Sequence, residues 1–206
     1  MFFVKKKILI TGCTGFTGSW LIIYLLLKKA KIFGYSIKSP FKNSIFEKLK
    51  LKNKITYKEN KIENFTALNK FYKTSNPDII FHLAANPILI DCFKKPREAY
   101  LTNAIGTLNL LECIRTSKFK KKISINIITS DKVYENTTNR TKSFNEADKL
   151  GGDDPYSNSK TCAEHISKTY YKSYFKNQNV SMNIMRSGNI IGGGDWSQYR
   201  LIPDIM

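Results

Sequence analysis

TGCTGFTG, residues 11–18, follows the apolar run KILI at residues 7–10 and leads directly into a second apolar stretch that begins at Phe16. Gly12, Gly15 and Gly18 stand at a GxxGxxG spacing. Lacking a Cβ, such glycines permit a tight turn, the approach of a pyrophosphate, and the close packing of a helix on a strand. The amides that open a helix at Phe16 and Thr17 then face the phosphates with the positive end of the helix dipole. Three spaced glycines alone describe only a turn. A strand ending at Ile10, a helix from Phe16 and a second strand at the right distance make the stretch a dinucleotide-binding loop.

The same alternation runs through the chain. Short apolar runs at 7–10, 32–37, 55–57, 79–83, 123–128 and 180–185 are separated by helix-like segments at 16–29, 64–74, 97–117 and 156–175. Crossovers of that length predict a parallel sheet with helices on both faces, and short apolar runs fit strands covered on both sides. The fold class is α/β, a doubly wound Rossmann-type parallel sheet. Residues 1–187 read as the dinucleotide-binding domain. Beyond them Gly188, Gly192, Gly193, Gly194 and Pro203 interrupt regular structure, so residues 188–206 read as the start of a small C-terminal substrate lobe.

A chain of 206 residues with 42% hydrophobic composition supports one substantial core. Its net charge of +18 raises nucleic acid or anionic membranes as partners. The lysines are scattered, however, with no dominant basic block or arginine-rich tract, so neither partner is expected; runs such as 5–7 and 120–122 read as solvated lead-ins to strands. Cys13, Cys92, Cys113 and Cys162 lie far apart, and His82 and His165 form no ligand spacing, so no metal site is expected and a reduced cytoplasmic protein is. The apolar run 20–27 is shorter than the ~20 residues of a membrane span and reads as a buried helix. The first ten residues lack the apolar core and cleavage site of a signal peptide.

The candidate chemistry lies in PYSNSK, residues 155–160, where Tyr156 and Lys160 are four apart. On a helix that is about 6 Å of rise along one face, so both side chains reach one site. Turning a tyrosine of pKa about 10 into a base near neutrality requires roughly 4 kcal/mol of phenolate stabilisation. An ammonium about 4 Å away supplies that order of energy. Upstream, Thr129, Ser130, Asp131 and Lys132 follow the apolar run 123–128, placing polar groups at the carboxyl end of a strand, where ligands of such sheets bind. At the end of the second strand an acidic residue would hold the ribose hydroxyls of NAD; Tyr35-Ser36-Ile37-Lys38 stands there instead, which leaves NAD and NADP both open.

Five segments, TGCTGFTGSWL (11–21), FHLAANP (81–87), TSDKVYEN (129–136), LGGDDPYSNSK (150–160) and RSGNIIGGGDW (186–196), carry a resemblance to the extended short-chain dehydrogenase/reductases acting on nucleotide sugars, the NAD-dependent epimerase/dehydratase family. The TSDK form and GGGDW followed by Arg200 and IPD point, within that family, to dehydration of a CDP-hexose. The resemblance implies NAD as cofactor, CDP-glucose as substrate and a homodimer built on the 97–117 and 156–175 helices. Tyr156, assisted by Lys160 and Ser130, would take the C4 hydroxyl proton while hydride passes to NAD. The 4-ketone acidifies C5, where Lys132 would act as base. Asp131 would protonate the departing C6 hydroxyl, and hydride would return to C6. Gly12, Gly15, Phe16, Thr17, Gly18, Ile62, Leu83, Ala84 and Ala85 would hold the cofactor. Asn86, Asn189 and Arg200 would face the sugar nucleotide, Asn103 would buttress the site, and His82 would end a core strand. Another nucleotide-sugar epimerase or dehydratase, or a silent NAD(P)-binding remnant, are the competing expectations.

Two departures from that family stand out. Lys61 replaces the carboxylate of a GDIRD-like stretch that would hold the adenine, while Ile62 remains. Family members also continue well past Met206, so the substrate lobe is expected to be cut short here.

Overall fold

The computed structural model describes residues 2–39, 41–117, 121–136, 143–200 and 204–205. Six strands form one wholly parallel sheet: β1 (Lys7–Thr11), β2 (Lys31–Ser36), β3 (Thr56–Glu59), β4 (Ile79–His82), β5 (Ile123–Ile128) and β6 (Val180–Met185). Their order, β3-β2-β1-β4-β5-β6, is that of a Rossmann sheet, with the direction of travel reversing beside β1. The switch leaves a crevice between the carboxyl ends of β1 and β4.

Alternate side chains of β1, β2 and β4 enter two separate cores. Ile8 and Ile10 of β1 join Ile32 and Ile79 under α1 (Phe16–Leu27) and α2 (Ile45–Lys48), with Ile22, Leu25 and Phe46 as the helical contribution. Leu9, Phe33, Ile80, Ile125 and Ile127 face the other way, against Leu68 and Tyr72 of α3 (Phe65–Ser75). These three strands are therefore covered on both sides, which is why their sequences lack an apolar-polar alternation, whereas β5 alternates Ile123, Ile125 and Ile127 with Ser124 and Asn126 and β3 is largely exposed. Burial of both faces removes most of the sheet's apolar area from water, at about 25 cal/mol per Å².

Between β4 and β5 run α4 (Leu89–Lys94), α5 (Pro96–Tyr100) and α6 (Gly106–Arg115), with a π turn at Leu101–Ile105 making α5 and α6 one long helix. Between β5 and β6 runs α7 (Pro155–Tyr170), extended by a second π turn at Tyr171–Phe175. The 97–117 and 156–175 segments are thus helical as expected. Neither α2 nor α4 carries a long enough apolar period to be read from the sequence.

The run 20–27 is a helix, but only one stripe of it is buried. Trp20, Tyr24 and Leu27 recur at helical spacing on its outer face and are exposed. Lys120 and the Ile202 and Pro203 of the IPD segment lie outside the described residues. Among the described residues no helix is long and apolar enough to cross a membrane, no three His, Cys, Asp or Glu side chains group as metal ligands, and the four cysteines are unpaired.

Candidate active site

Gly12 turns out of β1 with φ +71°, and a Cβ there would lie 2.6 Å from the Ala84 backbone nitrogen. The glycine loop therefore rests directly on the segment leaving β4, and Thr11 Oγ1 accepts the Ala84 N–H at 3.3 Å. Leu83 and Ala84 are brought beside Gly12 by this contact, and Ala85 follows them in the chain. At Gly18 a Cβ would overlap the Gly12 carbonyl, so α1 is seated on the loop.

Gly15 differs. It has ordinary extended backbone, φ −72° and ψ 171°, and a Cβ would meet only the Gly12 oxygen, at 3.4 Å. The protein's own packing has no need of glycine there. The space lies at the amino end of α1, where the N–H groups of the first turn have no helical acceptor and no acidic residue stands. A cradle that a side chain would fill, lined by amides, fits a pyrophosphate. Phe16 and Thr17 also line a cavity of about 320 Å³ with Trp20, Ile190, Ile191 and Gly192. Ile62 sits elsewhere: its side chain is buried in the core against Gly106, and its carbonyl accepts from Asn109 Nδ2 at 3.2 Å.

The second group of residues gathers where α7 starts. Asp154 caps the helix, its Oδ1 accepting the Tyr156 and Ser157 N–H groups at 2.8 and 2.9 Å. With the first turn fixed, Tyr156, Lys160 and Glu164 follow at successive four-residue steps on one face. Burial pushes the Tyr156 phenol up; Ser130 hydrogen bonding and the charge of Arg200 pull against it, while Asp131 pushes it further up. Lys160 is 6% exposed, and its ammonium donates to the Ile128 carbonyl at 2.8 Å. Its burial lowers its pKa to about 8, against a raising influence from Glu164. The sequence alone would pair this ammonium with the phenol. A buried ammonium must satisfy its own hydrogens, and the end of β5 offers a carbonyl; the charge of Arg200 also favours the Tyr156 phenolate.

Ser130 is buried at the end of β5, with Oγ 3.1 Å from Asp131 Oδ1, and it accepts the Lys132 N–H at 3.2 Å. Asp131 donates its backbone N–H to the Ser187 carbonyl at 3.0 Å, which draws the segment after β6 alongside the turn. Gly188 lies against Asp131 Oδ2, so Asn189 follows immediately beside the carboxylate and is exposed. Lys132 is exposed on the short 3₁₀ turn Asp131–Val133. Arg200 is anchored loosely, Nε 3.7 Å from Asp195 Oδ2 and lacking a hydrogen-bond partner.

Asn103, inside the first π turn, accepts the Asn86 N–H at 2.8 Å, donates to the Asn86 carbonyl at 3.3 Å and donates to Ser159 Oγ at 2.8 Å. It ties the loop after β4 to α7, so Asn86 and Tyr156 are held by one buried side chain. His82 is buried between Thr11 Oγ1 at 2.7 Å and Thr107 Oγ1 at 2.9 Å, with its pKa pushed down to about 3 by burial, as a core residue would be.

Sequence reasoning missed Glu164. It is fully buried, accepts from Arg186 Nε and Nη2 at 2.9 and 2.8 Å and from Thr129 Oγ1 at 2.8 Å, and so joins α7 to the ends of β5 and β6. Its place two helical steps beyond Tyr156 was the available signal.

Comparison with known proteins agrees with this architecture. A UDP-glucose 4-epimerase from Thermotoga maritima, solved with UDP-glucose, superimposes with a TM-score of 0.82 at 20% identity over 96% of this chain and 60% of its own. A dTDP-glucose 4,6-dehydratase from Bacillus anthracis, solved with NAD, gives 0.78 at 27% identity, over 96% and 59%. Among curated sequences, a CDP-glucose 4,6-dehydratase from Salmonella typhimurium is 39% identical over 100% of this chain and 58% of its own length. A dTDP-D-glucose 4,6-dehydratase from Dictyostelium discoideum is 32% identical over 96% and 46%. The chain thus spans about half the length of these curated relatives. The family model described as GDP-mannose 4,6 dehydratase matches residues 9–188, and with that match over the sheet, the glycine loop and the Tyr156 helix the chain belongs to this family.

Proposed function

We propose that this chain carries the cofactor-binding and catalytic part of a nucleotide-sugar 4,6-dehydratase, acting on CDP-glucose to form CDP-4-keto-6-deoxyglucose, with no net change of oxidation state. The observation that carries the proposal is the convergence of Tyr156, Ser130 and Asp131 at the same carboxyl edge of the sheet that carries a glycine loop with an amide-lined cradle at Gly15. The 39% identity with a CDP-glucose 4,6-dehydratase supports the choice of nucleotide. NAD, bound in a dehydratase of the same fold, supplies reversible oxidation at the sugar's C4.

The chain's own residues then divide the proton traffic. Tyr156 takes the C4 hydroxyl proton, and Arg200 and Ser130 lower the cost of its phenolate. Lys160 is held by Ile128 within reach of the same face of α7 and serves to position the cofactor against Tyr156. Once C4 is a ketone the C5 proton is acidic; Lys132, exposed on the adjoining turn, accepts it only as the neutral amine. Asp131 delivers a proton to the leaving C6 hydroxyl. A single Ser130 hydrogen serves one acceptor at a time. Protonated Asp131 releases it to Tyr156, so the acid form of one residue favours the base form of the other.

In this reading residues 1–187 are the dinucleotide-binding domain, and residues 188–206 begin the lobe that closes over the sugar nucleotide through Asn189 and Arg200. Exposed Ile105 and Tyr174 on the two long helices support a homodimer, and free cysteines fit the cytoplasmic location proposed with it.

The test is incubation of purified protein with NAD and, separately, CDP-, dTDP-, UDP- and GDP-hexoses, scoring the 4-keto-6-deoxy product. Product from CDP-glucose is expected. Tyr156→Phe should lower turnover by roughly 10²–10⁴-fold while cofactor affinity is retained. Equal turnover in the variant would remove Tyr156 from the chemistry, and NAD binding without product from any hexose would leave a cofactor-binding protein only.

A further inference from the structure

The strand end that carries Ser130 meets α7 at three successive residues. The Ile128 carbonyl accepts from the Lys160 ammonium at 2.8 Å, the Thr129 hydroxyl donates to Glu164 Oε1 at 2.8 Å, and Ser130 hydrogen-bonds the Tyr156 phenol. Tyr156, Lys160 and Glu164 stand one turn apart on one helix face, so these contacts bring a phenol, an ammonium and a carboxylate into one row at the sheet's carboxyl edge. The first two belong to the proposed chemistry. Glu164, fully buried, has no part in it.

That carboxylate is locked. Arg186 Nε and Nη2 donate to it at 2.9 and 2.8 Å. The guanidinium is itself held 4.5 Å from the centre of the Tyr134 ring, which stacks on Phe144, and its Nη1 donates to the Glu146 carbonyl at 3.4 Å. Lys168, on the next turn, lies 3.5 Å from Glu164 Oε2. Glu164 and Lys160 make no ion pair of their own among the described residues, so the carboxylate acts on the ammonium across a gap, through an interior that screens charge weakly. A buried ion pair is a poor device for stability, because desolvation offsets most of the attraction. What it adds over an apolar pair in the same space is a fixed negative charge. Burial pulls the Lys160 pKa down to about 8 even with Glu164 raising it. The other groups around it do not replace that charge. His82 on β4 is kept neutral by burial, burial pushes the Tyr156 phenol up, and Asp131 and Arg200 bear on Tyr156.

We propose that Glu164 is a positioning residue: fixed by Arg186 and Thr129, its carboxylate keeps the Lys160 ammonium charged while the site works. The inference rests on the reading of Tyr156 and Lys160 as the working pair of a dehydratase, and it extends that reading one turn along α7. A charged Lys160 binds the Ile128 carbonyl more strongly than a neutral amine would, and it favours the phenolate form of Tyr156.

Urea unfolding of the wild type and Lys160→Met, from about pH 6 to about pH 10, reads the ammonium without any turnover. The wild type gains stability on Lys160→Met as pH rises past the folded pKa of Lys160, about 8. With Glu164→Gln added to both proteins, that gain is expected to begin on the order of one pH unit lower. The alkaline limb of kcat for CDP-glucose with NAD should move down with it. If Glu164→Gln does not fold, Glu164→Gln/Arg186→Met, which leaves neither charge of the pair buried, takes its place with the same expectation. A gain that begins at the same pH with and without Glu164 overturns the proposal, however much stability the substitution removes. A lowered onset with an unmoved limb overturns the positioning role. A lowered onset in proteins that turn over no hexose keeps Glu164 as the charge on Lys160 and overturns the dehydratase reading instead.

Discussion

Gly12 and Gly15 are the same residue type in one loop, yet their glycines answer to different demands. Gly12 is required by the fold, because its φ is +71° and a Cβ would strike the Ala84 backbone. Gly12→Ala should therefore cost several kcal/mol, on the order of a severe backbone clash. Gly15→Ala should change stability by about 1 kcal/mol or less, as an N-cap change with room for the Cβ, while weakening dinucleotide binding tenfold or more. Urea unfolding and a cofactor titration on both variants separate the two effects; a Gly15→Ala protein with undiminished affinity would place the pyrophosphate elsewhere.

Lys160 makes a pH prediction at the same scale. Its folded pKa of about 8 lies below the ~10.4 of an unfolded lysine. Below pH 8 both states are protonated and the burial cost is fully present. Between the two values the unfolded chain holds more protons, so stability attributable to this residue rises with pH. Relative to Lys160→Met, the wild type should gain up to roughly 3 kcal/mol between pH 7 and pH 10, measured by urea unfolding. A gap between the two proteins that does not move with pH would mean that Lys160 is not held in a desolvated state.

Among the elements, α7 carries the most consequence, and Glu164 with Arg186 determines how it meets the sheet. Glu164 is fully buried and the Arg186 side chain is 10% exposed, so removing Arg186 leaves the buried carboxylate with only the Thr129 hydroxyl and Lys168 at 3.5 Å. Arg186→Met should cost about 3–5 kcal/mol, and the double variant with Glu164→Gln less than the sum of the two single changes. The carboxylate's pKa is held low by Arg186 and Thr129 against burial, so its contribution is present above the unfolded carboxyl range and lost as pH falls through the folded value. Denaturant unfolding of the cycle, repeated in acid, checks both statements. The two π turns belong here too. Single extra residues in a helix have no sequence period of their own, so the turn that aims Asn103 at Asn86 and Ser159 was not legible, although the helix around it was. The apolar run in α1 was legible as a helix and not as half-exposed, because an unbroken run hides which stripe faces out.

Over the whole molecule, the segment after β6 links the sheet's far edge to α1 and α2. Trp20 Nε1 donates to the Gly193 carbonyl at 3.0 Å, Gly194 packs on Ile45, and the Lys48 ammonium stands 5.7 Å from the Trp196 ring centre. That path returns Arg200 to the Tyr156 phenol. Arg200→Met should raise the phenol pKa further and move the acidic limb of the activity profile to higher pH. A residue that only gripped substrate would change KM at all pH values and leave the limb in place. Measured kcat against pH on both proteins decides between them.

What the sequence alone determined are the features that neighbours along the chain decide: six apolar runs, the helical segments between them, a glycine loop at a strand-to-helix turn, and Tyr156 with Lys160 on one face. These follow from periodicity and from the local stereochemistry of glycine. What only the tertiary structure decided are the partners. Lys160 satisfies its ammonium on Ile128, Arg200 adds its charge at Tyr156, and the Ser36 and Thr14 hydroxyls meet between the end of β2 and the glycine loop. The reason is physical: a buried polar group takes whichever acceptor the folded path brings within about 3 Å, and residues 20 to 70 positions away supply it without any trace in local spacing.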